Sequence, residues 1–240
     1  IDPAYAIRKG VASADVRMLL AARGGYGAAR LPHAEIGAAL HTSPTPIVGF
    51  SDVTLLLHLW HSCGAPAWHG PVVTQIGMLD ERSQVSTLKL LQAGTVRLGE
   101  WPLKLLTPAP AGEVRGDLTG GNLAVLQSMI GYSFFPSFEG SVVVLEDVNE
   151  PPYKLDRMLT HLFHVTDLSN AAAIVLGDFV GCQGFEEILA GVVSHHTASP
   201  LFAGFPAGHG VRNMPWQLGT DVIISRGSKG FHLAAVEECA

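Results

Sequence analysis

Ile47-Val48-Gly49-Phe50-Ser51-Asp52-Val53, running on through Thr54-Leu55-Leu56-Leu57-His58-Leu59-Trp60, is the stretch on which the fold turns. Ile47-Val48 is entered through Pro44 and Pro46 and reads as a short strand. Apolar Val53, Leu55, Leu56, Leu57 and Trp60 suit a buried helix. Strand, sharp turn and helix in succession is the signature of an α/β unit built on a parallel sheet. Upstream, Val16 to Ala22 (VRMLLAA) reads as a second buried strand, ended by Gly24, Gly25 and Gly27.

The second half carries Gly120-Gly121-Asn122 ahead of a helical stretch, Leu123 to Ile130. Ser141 to Leu145 (SVVVL) is a β-branched strand. In Tyr153 to Val165, Leu155, Met158, Leu159, Leu162 and Phe163 fall at offsets 0, 3, 4, 7 and 8, one face of an amphipathic helix. Pro151 and Pro152 stand where a first helical turn tolerates proline. Ala171 to Leu176 and Asp221 to Ser225 read as further strands. Residues 99–116 hold Pro102, Pro108 and Pro110 among scattered glycines and read as a linker or crossover. The expectation is an N-terminal α/β domain over 1–98 and a second domain over 117–240.

Of 240 residues, 48% are hydrophobic, which excludes a disordered chain. Fifteen basic against 21 acidic groups leave a net charge of −6, the wrong sign for a nucleic-acid binder. The apolar runs stop far short of the roughly 18 residues a membrane span needs. Cys63, Cys182 and Cys239 show no C-x-x-C spacing, so neither a disulfide framework nor a zinc ribbon is expected. Reduced thiols and no visible signal peptide point to the cytoplasm.

Four segments could carry chemistry. A serine at a tight strand-to-helix turn, as at Ser51, is lifted out of the sheet, with the Asp52 N–H and a helix N-terminus aimed at whatever it attacks. The usual G-x-S-x-G elbow is not met, and on this motif alone Ser51 or Asp52 capping the helix is the better reading. Arg23-Gly24-Gly25-Tyr26-Gly27 brings backbone N–H groups close to a ligand. A dinucleotide fingerprint fails because Arg30 stands where a third small residue is needed, so the choice lies between an oxyanion donor, a phosphate cradle and an ordinary turn. Glu146-Asp147-Val148-Asn149-Glu150 crowds three carboxylates at a strand end; one, buried, could orient a histidine, or the run could cap the next helix. Among 11 histidines, His209 alone has glycine on both sides. His195-His196 and His161-x-x-His164 lack a carboxylate at metal-ligand spacing, so no metal is expected. Serine, acid and histidine on separate segments supply the three roles of acyl transfer.

Taken together, RGGYGAAR (23–30), VGFSDVT (48–54), His69-Gly70-Pro71, GGNLAVL (120–126), VLEDVNE (144–150), Tyr153 to Leu159 and Gly208-His209 resemble the LD-carboxypeptidases, serine peptidases of the muramoyltetrapeptide carboxypeptidase type. The resemblance runs over nearly the whole chain after about residue 17. It implies Ser51 as nucleophile, His209 as general base and acid, and Glu146 as the carboxylate orienting His209. The N–H groups of Asp52 and Gly25 would form the oxyanion hole, with Arg23, Tyr26 and Asn122 in the substrate cleft. It also implies a parallel, Rossmann- or flavodoxin-like α/β layer with a β-rich swivelling-type C-terminal domain and a site between them. The implied protein is a cytoplasmic homodimer that needs no cofactor and releases the terminal D-alanine of muropeptide tetrapeptides in cell-wall recycling. Related chains carry several tens of residues before the RGGYG strand, so a shortened or absent N-terminal segment is expected here. The short segment between Asp178 and Pro200 argues against the microcin-immunity branch, whose longer loop serves aspartyl-nucleotide conjugates. A catalytically silent peptide- or glycan-binding domain is the remaining alternative.

Overall fold

Parallel strands need long crossovers, and the apolar helices between the strands of this chain supply them. The computed structural model describes residues 2–236. The first lobe runs α1 (Pro3–Ala12), β1 (Leu19–Leu20), α2 (His33–Thr42), β2 (Ile47–Gly49), α3 (Thr54–Ser62), β3 (Ala67–His69), α4 (Val73–Ile76) and α5 (Glu81–Ala93). Strands β1, β2 and β3 pair in parallel in that spatial order. The strand expected over Val16 to Ala22 is shorter and half-buried, because β1 lies at the sheet edge with a neighbour on one side only.

The second lobe continues with β4 (Trp101–Leu105), β5 (Val114–Asn122), α6 (Leu123–Ser128), β6 (Val142–Val148), α7 (Pro152–Val165), β7 (Ala173–Val180), α8 (Phe185–His196) and β8 (Leu201–Ala203), then β9 (Trp216–Gln217), β10 (Asp221–Gly227) and β11 (Gly230–Ala235). Seven of these strands close a barrel in the order β10-β11-β4-β8-β7-β6-β5. Within it β5, β6, β7 and β8 are parallel neighbours. Their facing residues Val142 to Leu145 and Ala173 to Leu176 are fully buried, as a sheet covered on both sides requires. Residues 99–116 are therefore more than a linker: Trp101–Leu105 pairs with β8 and β11 inside the barrel. Pro102 is tolerated there because it sits at the start of a short strand.

The lobes are stitched together rather than merely adjacent. Strand β9 leaves the second lobe and pairs antiparallel with β3, setting His69 opposite Trp216. From α3, the His58 ring bonds the Gly120 carbonyl at 2.9 Å, and Thr54 Oγ1 accepts the Asn122 N–H at 3.2 Å. That approach needs glycine. A Cβ on Gly121, which has φ +134°, would lie 2.6 Å from Thr54 Cγ2, and one on Gly120 would lie 2.0 Å from the Val144 carbonyl oxygen. Cys63 is half-buried and Cys182 buried, and both are free thiols; Cys239 lies outside the described residues.

Two histidines sit in this seam uncharged. Burial, opposed by the bond to Gly120, lowers His58 to about 4. Burial, with the nearby His209 and His58, lowers His69 to about 3. The unfolded chain takes up these protons near pH 6.5, so between that value and each folded value the unfolded state holds more protons and stability falls as pH falls. Neither His69 ring nitrogen has a partner, so His69→Phe keeps the stacking and removes the titration. Denaturation midpoints measured from pH 7 to pH 4.5 are expected to fall less steeply in His69→Phe than in the parent, by up to about tenfold in the folding equilibrium per pH unit; equal slopes would contradict this.

Candidate active site

Ser51 is the residue at which the chain turns from β2 into α3, and it does so with φ +61°. A non-glycine side chain there is strained by about 1–3 kcal/mol and persists only where the surroundings over-determine it. The turn is a 3₁₀ segment, Ser51–Val53, closed by Val53 N–H to the Phe50 carbonyl at 3.2 Å. Neither Ser51 nor Asp52 makes a side-chain cap at the start of this turn or of α3, so the capping alternative does not describe them. Asp52 reaches sideways instead: its Oδ2 accepts the Ala28 N–H at 2.9 Å.

That bond pins the glycine-rich loop against the turn. Gly24 lies directly on Ser51, for a Cβ added there would be 3.1 Å from Ser51 Cβ and 3.2 Å from its Oγ. Gly25 and Gly27 take φ values of +113° and +118°, the left-handed region that glycine alone enters without cost. Arg23 folds its guanidinium back beside Gly25. Tyr26 is 82% exposed. A cavity of ≈ 630 Å³ opens beside this loop, lined in part by Arg23, Gly24, Tyr26 and Asp52, and not by Ser51, Glu146 or His209.

Glu146 comes from the C-terminal end of β6, in register with Asn122 on β5, whose N–H bonds Thr54 in the first turn of α3. Glu146 is thus one strand removed from the residue that bonds the first turn of α3. It is fully buried, and its Oε2 accepts from His209 Nδ1 at 2.8 Å. Its Oε1 has no partner. The bond leaves Nε2 as the free nitrogen of His209. The His209 ring packs edge-on against Phe50 with centroids 4.7 Å apart, and Phe50 is the residue before Ser51. Phe50 in turn meets His69, which stacks on Trp216 at 5.0 Å.

The charge state follows. Burial penalises a charged His209, but the Glu146 hydrogen bond and the charges of Glu146 and Asp147 outweigh it and raise its pKa above 6.5. Asp147 is pushed up to about 6, chiefly by burial, against hydrogen bonds from Val148 N–H, Ala124 N–H and Asn122. Asp178 is also raised, first by burial.

Glu146 and His209 are bonded to each other, the His209 ring packs on Phe50, and Gly24 lies on Ser51, so the histidine–carboxylate pair and the glycine loop each border the serine turn. Asn122 reaches that place without facing the opening: it is 4% exposed, its Oδ1 accepts the Val125 N–H at 3.1 Å to cap α6, and its Nδ2 donates to Asp147 at 3.1 Å. Asn149 and Glu150 do not cap α7, whose N-cap is Pro151 with no side-chain bond; Glu150 instead pairs with Lys154 at 3.2 Å. Among the described residues no group of three His, Cys, Asp or Glu side chains is placed to hold a metal ion. Among them, too, no helix is long and apolar enough to cross a membrane. Sequence reasoning passed over His69 as a site neighbour, although its HGP motif stood out, and gave no weight to Gln75 and Asn213 beside the His209 loop.

Comparison with known proteins shows the family. Residues 3–70 match the LD-carboxypeptidase N-terminal domain and residues 115–224 the LD-carboxypeptidase C-terminal domain. The chain belongs to this family of serine carboxypeptidases. It is 35% identical over 223 residues to a murein tetrapeptide carboxypeptidase of Pseudomonas aeruginosa, covering 88% of this chain and 73% of that one. It is 30% identical over 227 residues to a probable murein peptide carboxypeptidase of Bacillus subtilis, covering 90% and 70%. The crystal structure of muramoyltetrapeptide carboxypeptidase from Oxalobacter formigenes superposes with a TM-score of 0.83 at 26% identity, covering 99% of this chain and 83% of that one. The microcin C7 self-immunity protein MccF in complex with aspartyl sulfamoyl adenosine shares the fold, with a TM-score of 0.77 at 20% identity, covering 99% and 81%.

The His209–Glu146 pair is testable without a substrate. Imidazole resonances followed by NMR are expected to titrate His209 above pH 6.5, and Glu146→Gln is expected to bring that titration down, since the pair charge is lost while burial remains. A His209 titration indifferent to Glu146→Gln would contradict the pairing.

Proposed function

We propose that the protein is a serine L,D-carboxypeptidase that releases the terminal D-alanine from muropeptide tetrapeptides. The observation that carries this reading is the 2.8 Å bond from His209 Nδ1 to the buried Glu146, on a ring packed against the neighbour of a serine held at φ +61°. The murein peptide carboxypeptidases it is similar to supply the substrate class.

In this mechanism Ser51 Oγ attacks the carbonyl carbon of the bond joining the L-centre to the terminal D-residue. His209 Nε2 takes the hydroxyl proton, while Glu146 holds the Nδ1–H and stabilises the imidazolium that forms. The N–H groups of Asp52 and Gly25 receive the charge that develops on the carbonyl oxygen. As the C–N bond breaks, His209 returns its proton to the leaving amine, and free D-alanine departs. A water then attacks the Ser51 ester, His209 taking its proton and giving it back to Ser51 Oγ. Buried Asp147 contributes negative charge that holds His209 basic. No step calls on a metal or organic cofactor. Arg23 and Tyr26, exposed on the glycine loop, are the substrate-facing residues; Asn122 serves the cleft by holding its floor.

The division into lobes of 1–98 and 117–240 belongs to the same reading, with β4 and the start of β5 from residues 99–116 joining the second lobe, and matched family domains over 3–70 and 115–224 support it. A cytoplasmic homodimer follows from the resemblance alone.

Ser51→Ala is expected to remove D-alanine release from muramoyl tetrapeptide by about 10⁴-fold or more with circular dichroism unchanged; near-parent release would rule out Ser51 as nucleophile. Because His209 must be neutral to act as base, kcat/KM is expected to rise with pH through a value above 6.5. An acidic limb below 6.5 would contradict the base assignment. Activity is expected to survive EDTA, and loss that zinc restores would reopen a metal mechanism.

A further inference from the structure

His209 lies in a segment with almost no regular structure of its own. Between β8 and β9 the chain runs through residues 204–215, with φ +128° at Gly208 and φ +102° at Gly204. Glycines on both sides let the backbone come close to Glu146 and Asp178: a Cβ on Gly208 would lie 3.0 Å from Glu146 Oε2, and one on Gly210 would lie 2.0 Å from Asp178 Oδ2. The same glycines deprive the loop of stiffness. Something outside it must hold the imidazole in place.

The other lobe supplies the hold. Gln75 of α4 sends its Nε2 to the Gly208 carbonyl at 3.1 Å and to the Gly210 carbonyl at 3.4 Å, the residues immediately before and after His209. Its Oε1 accepts from Asn213 Nδ2 at 2.9 Å. Asn213 Oδ1 closes the ring by accepting the Gly208 N–H at 3.3 Å, and the Asn213 N–H goes on to Ser83 Oγ on α5 at 3.2 Å. Beside it the Asp80 N–H bonds the Val211 carbonyl at 2.8 Å. Gln75, Ser83 and Asn213 are all buried. Each amide can be oriented only one way, because the reverse would set Gln75 Oε1 against two carbonyls.

α4 also grips the opposite side of the site. The Val73 N–H bonds the Ala21 carbonyl at 3.0 Å and the Thr74 N–H bonds the Ala22 carbonyl at 3.1 Å. Ala22 leads straight into Arg23 and the glycine loop that lies on Ser51. One short helical turn therefore joins the loop beside the serine to the loop that carries the histidine.

We infer that Gln75 is a positioning residue for His209, acting with Asn213 as an amide clamp that sets the imidazole from the serine-bearing lobe. This rests on the reading of His209 as the general base. In Gln75→Met the two bonds flanking His209 and the Asn213 bond are lost at nearly constant volume; Gln75→Leu loses the same bonds and, like Met, adds no charge beside His209. Should Gln75→Met fail to fold, Gln75→Leu carries the same test.

Three quantities are compared with the parent: kcat and KM for D-alanine release from muramoyl tetrapeptide, the His209 titration by NMR, and the circular dichroism spectrum. The clamp predicts a folded variant whose kcat falls about 10²-fold, as a misplacement of about 1 Å produces, with KM within about threefold. It further predicts a His209 titration moved down toward the ordinary histidine value as the Glu146 bond loosens. A folded variant with parent-like kcat and titration would overturn it. So would a kcat loss with an unmoved titration, which marks a purely structural role. If the parent chain releases no D-alanine, the carboxypeptidase reading fails and the titration shift alone decides the clamp.

Discussion

Gly121 and Thr54 approach so closely that no side chain fits at position 121, and the geometry of the site descends from that contact. It presses the first turn of α3 onto the end of β5, the strand that pairs with β6. The serine turn is at one side of the contact, and Glu146, in register with Asn122, is at the other. Open α/β sheets bind ligands at the carboxyl ends of their strands. Here the serine turn follows β2 of one parallel array, β1-β2-β3, while Glu146 near the end of β6 and the His209 segment after β8 belong to the other, β5-β6-β7-β8.

The electrostatics depend on the same closeness. A carboxylate with no exposure and an oxygen without a partner is costly unless a charge can form beside it. His209 is that group, and against its own burial the hydrogen bond and charge of Glu146 draw it toward protonation. Behind it, His69 is kept neutral in an aromatic stack of Phe50 and Trp216. One imidazole is thus tuned up and an adjacent one tuned down by their different surroundings.

Much of this was legible in the sequence because it is local. The strand-turn-helix at 47–60, the amphipathic α7 with Pro152 as its first residue, and the β-branched strand over Ser141 to Leu145, which the structure extends to Val148, all follow from periodicity and punctuation. The barrel was not legible. β4 hides among prolines, β8 and β9 are only three and two residues long, and the pairing joins residues far apart in the chain. For the site, residue types and their order suggested serine, carboxylate and histidine, but only the fold decides between a capping Asp52 and one that ties down a loop 24 residues away. Asn122 was read as facing substrate because its motif is distinctive. Its amide is spent inside the protein, a use that spacing alone does not reveal. Gln75 and Asn213, 138 residues apart, left no pattern at all.

The convergence of the two lobes is tested most directly by a crystal structure with a phosphonate analogue of the muropeptide tetrapeptide bound. The account predicts a covalent bond from phosphorus to Ser51 Oγ, one phosphonyl oxygen facing the N–H groups of Asp52 and Gly25, and His209 Nε2 about 2.6–3.2 Å from Ser51 Oγ. An analogue seated away from Ser51, or a bound complex in which the imidazole stays out of reach of that hydroxyl oxygen, would contradict it.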